Sequence, residues 1–185
     1  MEPDEQLYRC YLDGDDSGLR KLMERYGNSL TLYIGGIIHD FQDAEDLMLE
    51  AFSRMLAKEP RLCEHGFKAY LFRAGRNLAL RYMAKNRLRP QFGFEDLETE
   101  PESKSLVEDV IQQRELADIL RLSMEHISPD YREALYLLYF AEMSRAEAGR
   151  IMKKTEKQMD NLAYRGKQAL RQVLEREGIT DAQYR

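Results

Sequence analysis

Residues 144–170 read SRAEAGRIMKKTEKQMDNLAYRGKQAL, and the punctuation inside this stretch decides the fold. Ser144 with Glu147, and Thr155 with Gln158, each follow the pattern of a capping box. In that pattern an N-cap hydroxyl and a side chain three residues later satisfy each other's exposed amides. The two N-caps stand eleven residues apart, which leaves about two turns of helix and a tight turn, the layout of a helix-turn-helix. Gly149 falls where a small residue lets the two helices approach closely. Lys153 occupies a turn position that often needs positive φ, at a cost on the order of 1 kcal/mol for a residue other than glycine. On the second helix Met159, Leu162, Ala163, Gly166 and Leu170 form an inward ridge. Lys157, Asn161, Tyr164 and Gln168, with Arg165 beside them, are left on the outward face, and these are residue types that read base edges and phosphates. A merely solvated face would have the same composition, so this face alone does not establish DNA binding.

Working upstream, helical periodicity runs through Leu116, Ile119, Leu120 and Met124, breaks at Ser128-Pro129 and returns in Ala134, Leu135, Leu138 and Tyr139. Residues 90–114 contain Pro90, Pro101 and the acids Glu95, Asp96, Glu98, Glu100, Glu102, Glu108 and Asp109, with few apolar anchors. They read as an interdomain linker. Near the N-terminus, apolar residues from Leu19 to Ile38 recur at three- and four-residue spacings, with Gly27 and Gly35-Gly36 as points of bending. A second helix fits 43–57, capped by Asp43 and stopped by Pro60. A third runs from Phe67 to about Arg87. It places Phe67, Tyr70, Leu71, Ala74, Leu78 and Tyr82 on a buried arc and Lys68, Arg73, Arg76 and Arg87 on the opposite one, with Asn77 at the border. Arg81 and Lys85 fall on the apolar side, so the helix bends, frays or ends near them. The reading is an all-α chain with two small helical domains, an N-terminal helical bundle over 1–89 and a helix-turn-helix domain over 115–185, joined by the acidic linker 90–114.

Composition agrees and excludes several classes. The 185 residues include only 5 Pro and 11 Gly, and Leu, Ala, Glu, Lys, Arg and Met dominate, as suits helices. Cys10 and Cys63 lack a metal or disulfide spacing, and His39, His65 and His126 stand apart without ligand partners, so no metal and no cofactor are expected. No nucleotide-binding glycine loop and no Ser/Cys-His arrangement point to an enzyme. The N-terminus has no secretory leader pattern, and no apolar run reaches membrane-spanning length. A soluble, cytoplasmic protein with no membrane span is expected. The formal net charge is -5, yet charge is blocky. Residues 40–50 carry Asp40, Asp43, Glu45, Asp46 and Glu50 without a base, while 67–89 carry Lys68, Arg73, Arg76, Arg81, Lys85, Arg87 and Arg89 without an acid. Adjacent blocks of opposite sign suggest two different partners.

DAEDLMLEAF at 43–52, FKAYLFRAGRNLALRYMAKNR at 67–87, ISPDYREALYLLYF at 127–140 and the helix-turn-helix resemble, in order, regions two and four of the extracytoplasmic-function sigma factors of bacterial RNA polymerase. The resemblance covers most of the chain. It implies promoter-specific transcription initiation, with core RNA polymerase (the β′ clamp helices and the β flap) and promoter DNA as partners and an anti-sigma factor as a further one. Asp43, Glu45, Asp46, Leu49, Glu50 and Ser53 would then meet the clamp helices. Leu62, Lys68, Arg73, Arg76, Asn77 and Arg81 would melt and read the minus-ten element, with Leu62 at the lip of a base-capturing loop over Lys58–Gly66. Lys157, Gln158, Asn161, Tyr164, Arg165 and Gln168 would read the minus-thirty-five element. The acidic linker would thread toward the RNA exit path, imitating nucleic acid. This chain departs from the family pattern at Leu49 for Gln, Tyr70 for Trp, Ala148-Gly149 for Ile-Ala and Asp160 for a basic residue, changes that bear on the promoter sequence.

A second class stays open: a stand-alone helix-turn-helix transcriptional regulator with an N-terminal sensing or dimerising domain. The acidic helix beside a basic aromatic one favours the first reading, because a ligand-sensing domain needs neither.

Overall fold

The structure, a computed structural model, describes residues 2–60, 62, 66–86, 120 and 122–178. The linker 90–114, residues 61 and 63–65 of the 58–66 loop and the stretch 87–89 lie outside the described residues. All regular elements among those described are helical. In chain order they are α1 (Asp4–Leu12), α2 (Asp16–Ile38), α3 (Phe41–Lys58), α4 (Gly66–Lys85), α5 (Pro129–Leu135), a π-helical turn (Tyr136–Phe140), α6 (Arg145–Met152) and α7 (Glu156–Arg176). A short helical stretch at 122–125 precedes α5.

Helix α2 is the central post of the N-terminal half. It is one continuous helix, with Asp15 accepting from the Ser17 amide at its start and His39 at φ 57° closing its end. The expected bends at Gly27 and Gly35-Gly36 do not occur: all three glycines are buried inside the helix, where neighbours hold the backbone that propensity alone would loosen. Helices α1, α3 and α4 pack around it. Gly75 of α4 faces it at the closest approach, where a Cβ would meet Leu30 Cδ1 at 2.8 Å.

Helix α1 was not anticipated from the sequence. Leu7 and Tyr8 bury its inner face, Tyr8 lies 5.7 Å from the Phe67 ring, and Asp4 accepts from both Arg25 and Tyr26 (2.5 Å to the Tyr26 hydroxyl). Helix α3 begins three residues earlier than expected. Asp40, not Asp43, is the N-cap, accepting from the Asp43 amide at 2.9 Å. The two aspartates are equally good caps by type, and the cap falls on the first of them.

The reading of α4 as a helix with one buried arc is also corrected. Phe72, placed outside the core arc, is fully buried against Tyr33, whereas Tyr70 and Tyr82 are only half-buried. Both flanks of α4 are covered, one by α2 and the other by α6 of the C-terminal half. A wheel drawn for one partner cannot register two.

The C-terminal half is the predicted helix-turn-helix, with 122–127, α5 and α7 enclosing a small core of Met124, Ile127 and Leu135. The larger core is continuous across both halves, running from Leu7 through Phe72 to Tyr136, Ala148 and Met159. The two helical units are therefore packed together.

Candidate functional site

Both predicted capping boxes form. Glu147 accepts from the Ser144 amide at 2.8 Å, and Gln158 Oε1 accepts from the Thr155 amide at 2.8 Å. Lys153 takes the left-handed turn at φ 56°, and the Lys154 amide then donates to Gly149 O at 2.8 Å. A Cβ on Gly149 would lie 2.6 Å from Lys154 O, so glycine is required by contact with rigid backbone. Met159, Ala163 and Gly166 form the buried face of α7.

On the outer face, Lys157, Gln158, Asn161, Tyr164, Arg165 and Gln168 are all exposed. Gln158, Asn161 and Arg165 open onto a cleft of about 590 Å³ shared with Ser128, Lys154 and the N-terminus of α5. Tyr164 is 64% exposed and accepts from Gln168 Nε2 at 2.8 Å, which braces the two side chains as one unit. Asp160, the acid on a helix suited to phosphates, accepts from Arg145 of α6. This exposed pair links the two helices of the motif and offsets the acid's charge in part.

Helices α3 and α4 build the second surface. Arg54, Met55 and Lys58 of α3 with Tyr70, Arg73, Asn77 and Arg81 of α4 line a cleft of about 350 Å³. Arg73, Asn77 and Arg81 share one stripe at four-residue spacing. Arg81, which the single-arc wheel placed on the apolar side, therefore faces this cleft. Arg54 escaped the sequence reading, and Lys58 entered it only as the first residue of the base-capturing loop. The signal for them was the change of charge along α3, acidic in its first half and basic at 54 and 58. Half-buried Tyr70 gives the cleft a stacking ring. Leu62 is partly buried and packs against the core.

Lys68 and Arg76 lie on a different stripe, with Phe72 between them, and face the C-terminal half. Arg76 donates to Glu133 through Nε at 2.6 Å and Nη2 at 3.3 Å. Burial lowers the guanidinium pKa, but hydrogen bonding and charge from Glu133 outweigh it and raise the pKa. Lys68 sits 5.8 Å over the Tyr26 ring. Burial pulls its pKa down against the opposing pull of Glu142, Glu147 and Asp4. These two cations are thus engaged inside the molecule, apart from the cleft.

The first half of α3 presents the acidic surface. Glu45, Asp46, Leu49 and Ser53 are exposed, with Leu49 at 49%, and Glu50 is half-buried beside Arg54 at 2.5 Å. Asp43 differs, because it accepts from the Tyr82 hydroxyl of α4, and this pulls that phenol's pKa upward.

An acidic apolar-edged face, a cationic cleft with a half-buried ring and a helix-turn-helix are features that suit a DNA-binding protein with a separate protein partner. Models of two protein families match: sigma-70 region 2 over residues 22–89 and sigma-70 region 4 over residues 117–170. The chain is 27% identical over 165 residues to the ECF RNA polymerase sigma factor SigM of Bacillus subtilis (strain 168), covering 87% of this chain and 97% of that protein. It is 26% identical over 164 residues to the ECF RNA polymerase sigma factor BldN of Streptomyces coelicolor, covering 87% of this chain and 62% of that one. The fold is similar to that of CnrH, solved in complex with the cytosolic domain of CnrY, at a TM-score of 0.63 and 20% identity over 94% of this chain and 98% of that one. It is also similar to the sigma factor RpoE of Bartonella quintana, solved with the anti-sigma factor NepR, at 0.64 and 17% over 85% and 96%. The chain belongs to the extracytoplasmic-function sigma factors of the sigma-70 family, and its function is to direct promoter-specific transcription initiation. No helix among the described residues is long and apolar enough to cross a membrane.

Proposed function

We propose that residues 1–89 bind core RNA polymerase and read the melted minus-ten element, and that residues 115–185 read the minus-thirty-five element as duplex. The observation that carries this division is the cleft between α3 and α4, where Arg54, Lys58, Arg73 and Arg81 surround Asn77 and the Tyr70 ring. Cations at the rim suit a phosphate backbone, a half-buried ring suits stacking, and a carboxamide suits a base edge once the base has left the duplex. The outer face of α7 offers no such enclosed ring but an open row of Lys157, Asn161 and Arg165, suited to a major groove.

The acidic face of α3 with exposed Leu49 is complementary to a basic, partly apolar protein surface, in keeping with the clamp helices of the polymerase β′ subunit. The C-terminal half would dock on the β flap. An anti-sigma factor is a further partner, as for the RpoE solved with NepR. The protein acts by binding in the cytoplasm and catalyses no reaction of its own.

The test compares Asn77→Ala with Arg165→Ala on matched duplex and pre-melted templates. Asn77→Ala should slow open-complex formation on duplex, and a bubble should restore it in part only if the side chain acts in melting rather than in recognising the extruded base. Arg165→Ala should weaken initial binding by about 1–3 kcal/mol with or without the bubble. Identical behaviour of the two variants on both templates overturns the division.

A further inference from the structure

Resting on the reading of the α3–α4 cleft as the seat of the melted strand, we propose that Glu5 of α1 is a positioning residue for minus-ten reading. Its carboxylate fixes the first turn of α4 and so holds the Tyr70 ring in the cleft. The amide of Gly66, the first residue of α4, donates to Glu5 Oε1 at 3.1 Å, across 61 positions of sequence. The opening amides of a helix have no partner within it. A carboxylate placed there accepts from one of them and lies at the positive end of the helix dipole. Glu5 can hold that place because α1 is anchored on α2. Asp4 accepts from Arg25 and Tyr26, Lys21 donates to Glu2 at 2.7 Å, and Leu7 and Tyr8 are buried. A Cβ on Gly18 of α2 would lie 2.2 Å from Leu7 O, so the two helices meet backbone to side-chain-free backbone. Helix α1 is thus a strut, fixed on α2 and presenting Glu5 to the start of α4. Beside the cap the Phe67 ring meets Tyr8 at 5.7 Å and Tyr26 at 6.0 Å.

The consequence falls on one side chain of the cleft. Tyr70 stands four residues after Gly66, so α-helical geometry directs its amide to the Gly66 carbonyl. Its ring lines the cleft with Arg54, Lys58, Arg73 and Asn77. Fraying of the first turn therefore releases Tyr70 before any other cleft residue of α4. Asn77 and Arg81 lie about three and four turns along the helix, beyond the reach of an end that frays. Glu5 itself lines no part of the cleft, so its effect on DNA passes through Tyr70. The Tyr8 hydroxyl, one turn along α1, is buried with no hydrogen-bond partner. An orphaned buried hydroxyl weakens the fold, and this provides a control in which stability changes while the cap does not.

The test measures the affinity of the full chain for a random-sequence single-stranded DNA oligonucleotide and for a duplex of the same sequence. Glu5→Ala should weaken single-strand binding about fivefold, the worth of one helix cap, and leave duplex binding unchanged. Glu5→Gln, which keeps Oε1 as an acceptor, should restore most of the loss. In a Tyr70→Ala background Glu5→Ala should cost nothing further, because the ring that it positions is gone. Tyr8→Phe should raise the urea midpoint and leave both affinities as they were. Should Glu5→Ala lose helix content by far-UV circular dichroism, Glu5→Asp, whose carboxylate falls one methylene short of the Gly66 amide, should weaken single-strand binding in the same way. Fully additive losses from Glu5→Ala and Tyr70→Ala, an equal loss on duplex, or a single-strand affinity that follows the urea midpoint through Tyr8→Phe overturns the role of Glu5. An inert Tyr70→Ala is a separate failure: the cleft then stacks no single strand, and the minus-ten reading falls together with the role of Glu5.

Discussion

Gly149 is the residue on which the geometry of the helix-turn-helix turns most narrowly, and Gly149→Ala measures it. In an ordinary helix interior, alanine for glycine gains about 1 kcal/mol through lower backbone entropy. Here the new Cβ would stand 2.6 Å from Lys154 O, with Met159 Cγ at 3.5 Å behind it. The near neighbour is backbone, fixed by the left-handed Lys153 and by the Lys154 amide donating back to Gly149 O, so no rotamer change relieves the overlap. Overpacking of this kind costs up to about 3 kcal/mol, which leaves a net loss of about 2 kcal/mol. Gly27→Ala is the matched control. It too lies inside a helix, but its Cβ would find only Met48 at 4.0 Å, so the variant should gain up to about 1 kcal/mol. Urea unfolding followed by circular dichroism should move the midpoint down for Gly149→Ala and up for Gly27→Ala. The Gly149 variant should also lose duplex affinity, because α7 must shift on α6. A raised midpoint for Gly149→Ala would refute the claim that the turn leaves no room for a side chain.

Reversing two charges on the acidic face, Asp46→Lys with Glu50→Lys, should weaken assembly with core polymerase while leaving helix content unchanged; undiminished affinity would remove α3 from that interface. Arg145→Ala frees Asp160 among the side chains proposed to read DNA and should lower duplex affinity, and adding Asp160→Asn should recover part of it. If the second change recovers nothing, Asp160 is not a repulsive charge at the DNA. Tyr70→Ala should cut affinity for single-stranded DNA by the stacking of one base, about 1–3 kcal/mol, with little effect on duplex binding, and an equal loss on both would show that the ring is structural.

The helix-turn-helix was legible because its determinants are local: two caps, a turn and an inward ridge within 27 residues. The acidic and basic blocks were legible for the same reason. What escaped the sequence depends on distant partners. Phe72 and Arg76 fall on the flank of α4 that a second domain covers, and periodicity cannot report how many partners a helix has. The pairing of Arg76 with Glu133 joins residues 57 apart in sequence, and neither looks different from a surface charge. Helix α1 was missed because its anchors are two side chains, Leu7 and Tyr8, and a carboxylate at Asp4 that needs Arg25 and Tyr26 to explain it. The α3 cap was misplaced because two aspartates three residues apart suit the same role by type; Asp40 caps the helix, and Asp43 accepts from the Tyr82 hydroxyl instead.

The central claim is that this chain confers promoter choice on RNA polymerase, and it is tested most directly by mixing purified protein with core polymerase on fragmented genomic DNA and mapping RNA 5′ ends. The account predicts initiation at a small set of discrete positions that share sequence about ten and about thirty-five base pairs upstream, all lost with Asn77→Ala and Arg165→Ala combined. Discrete starts unaffected by that double change, or no starts above core alone, would contradict it.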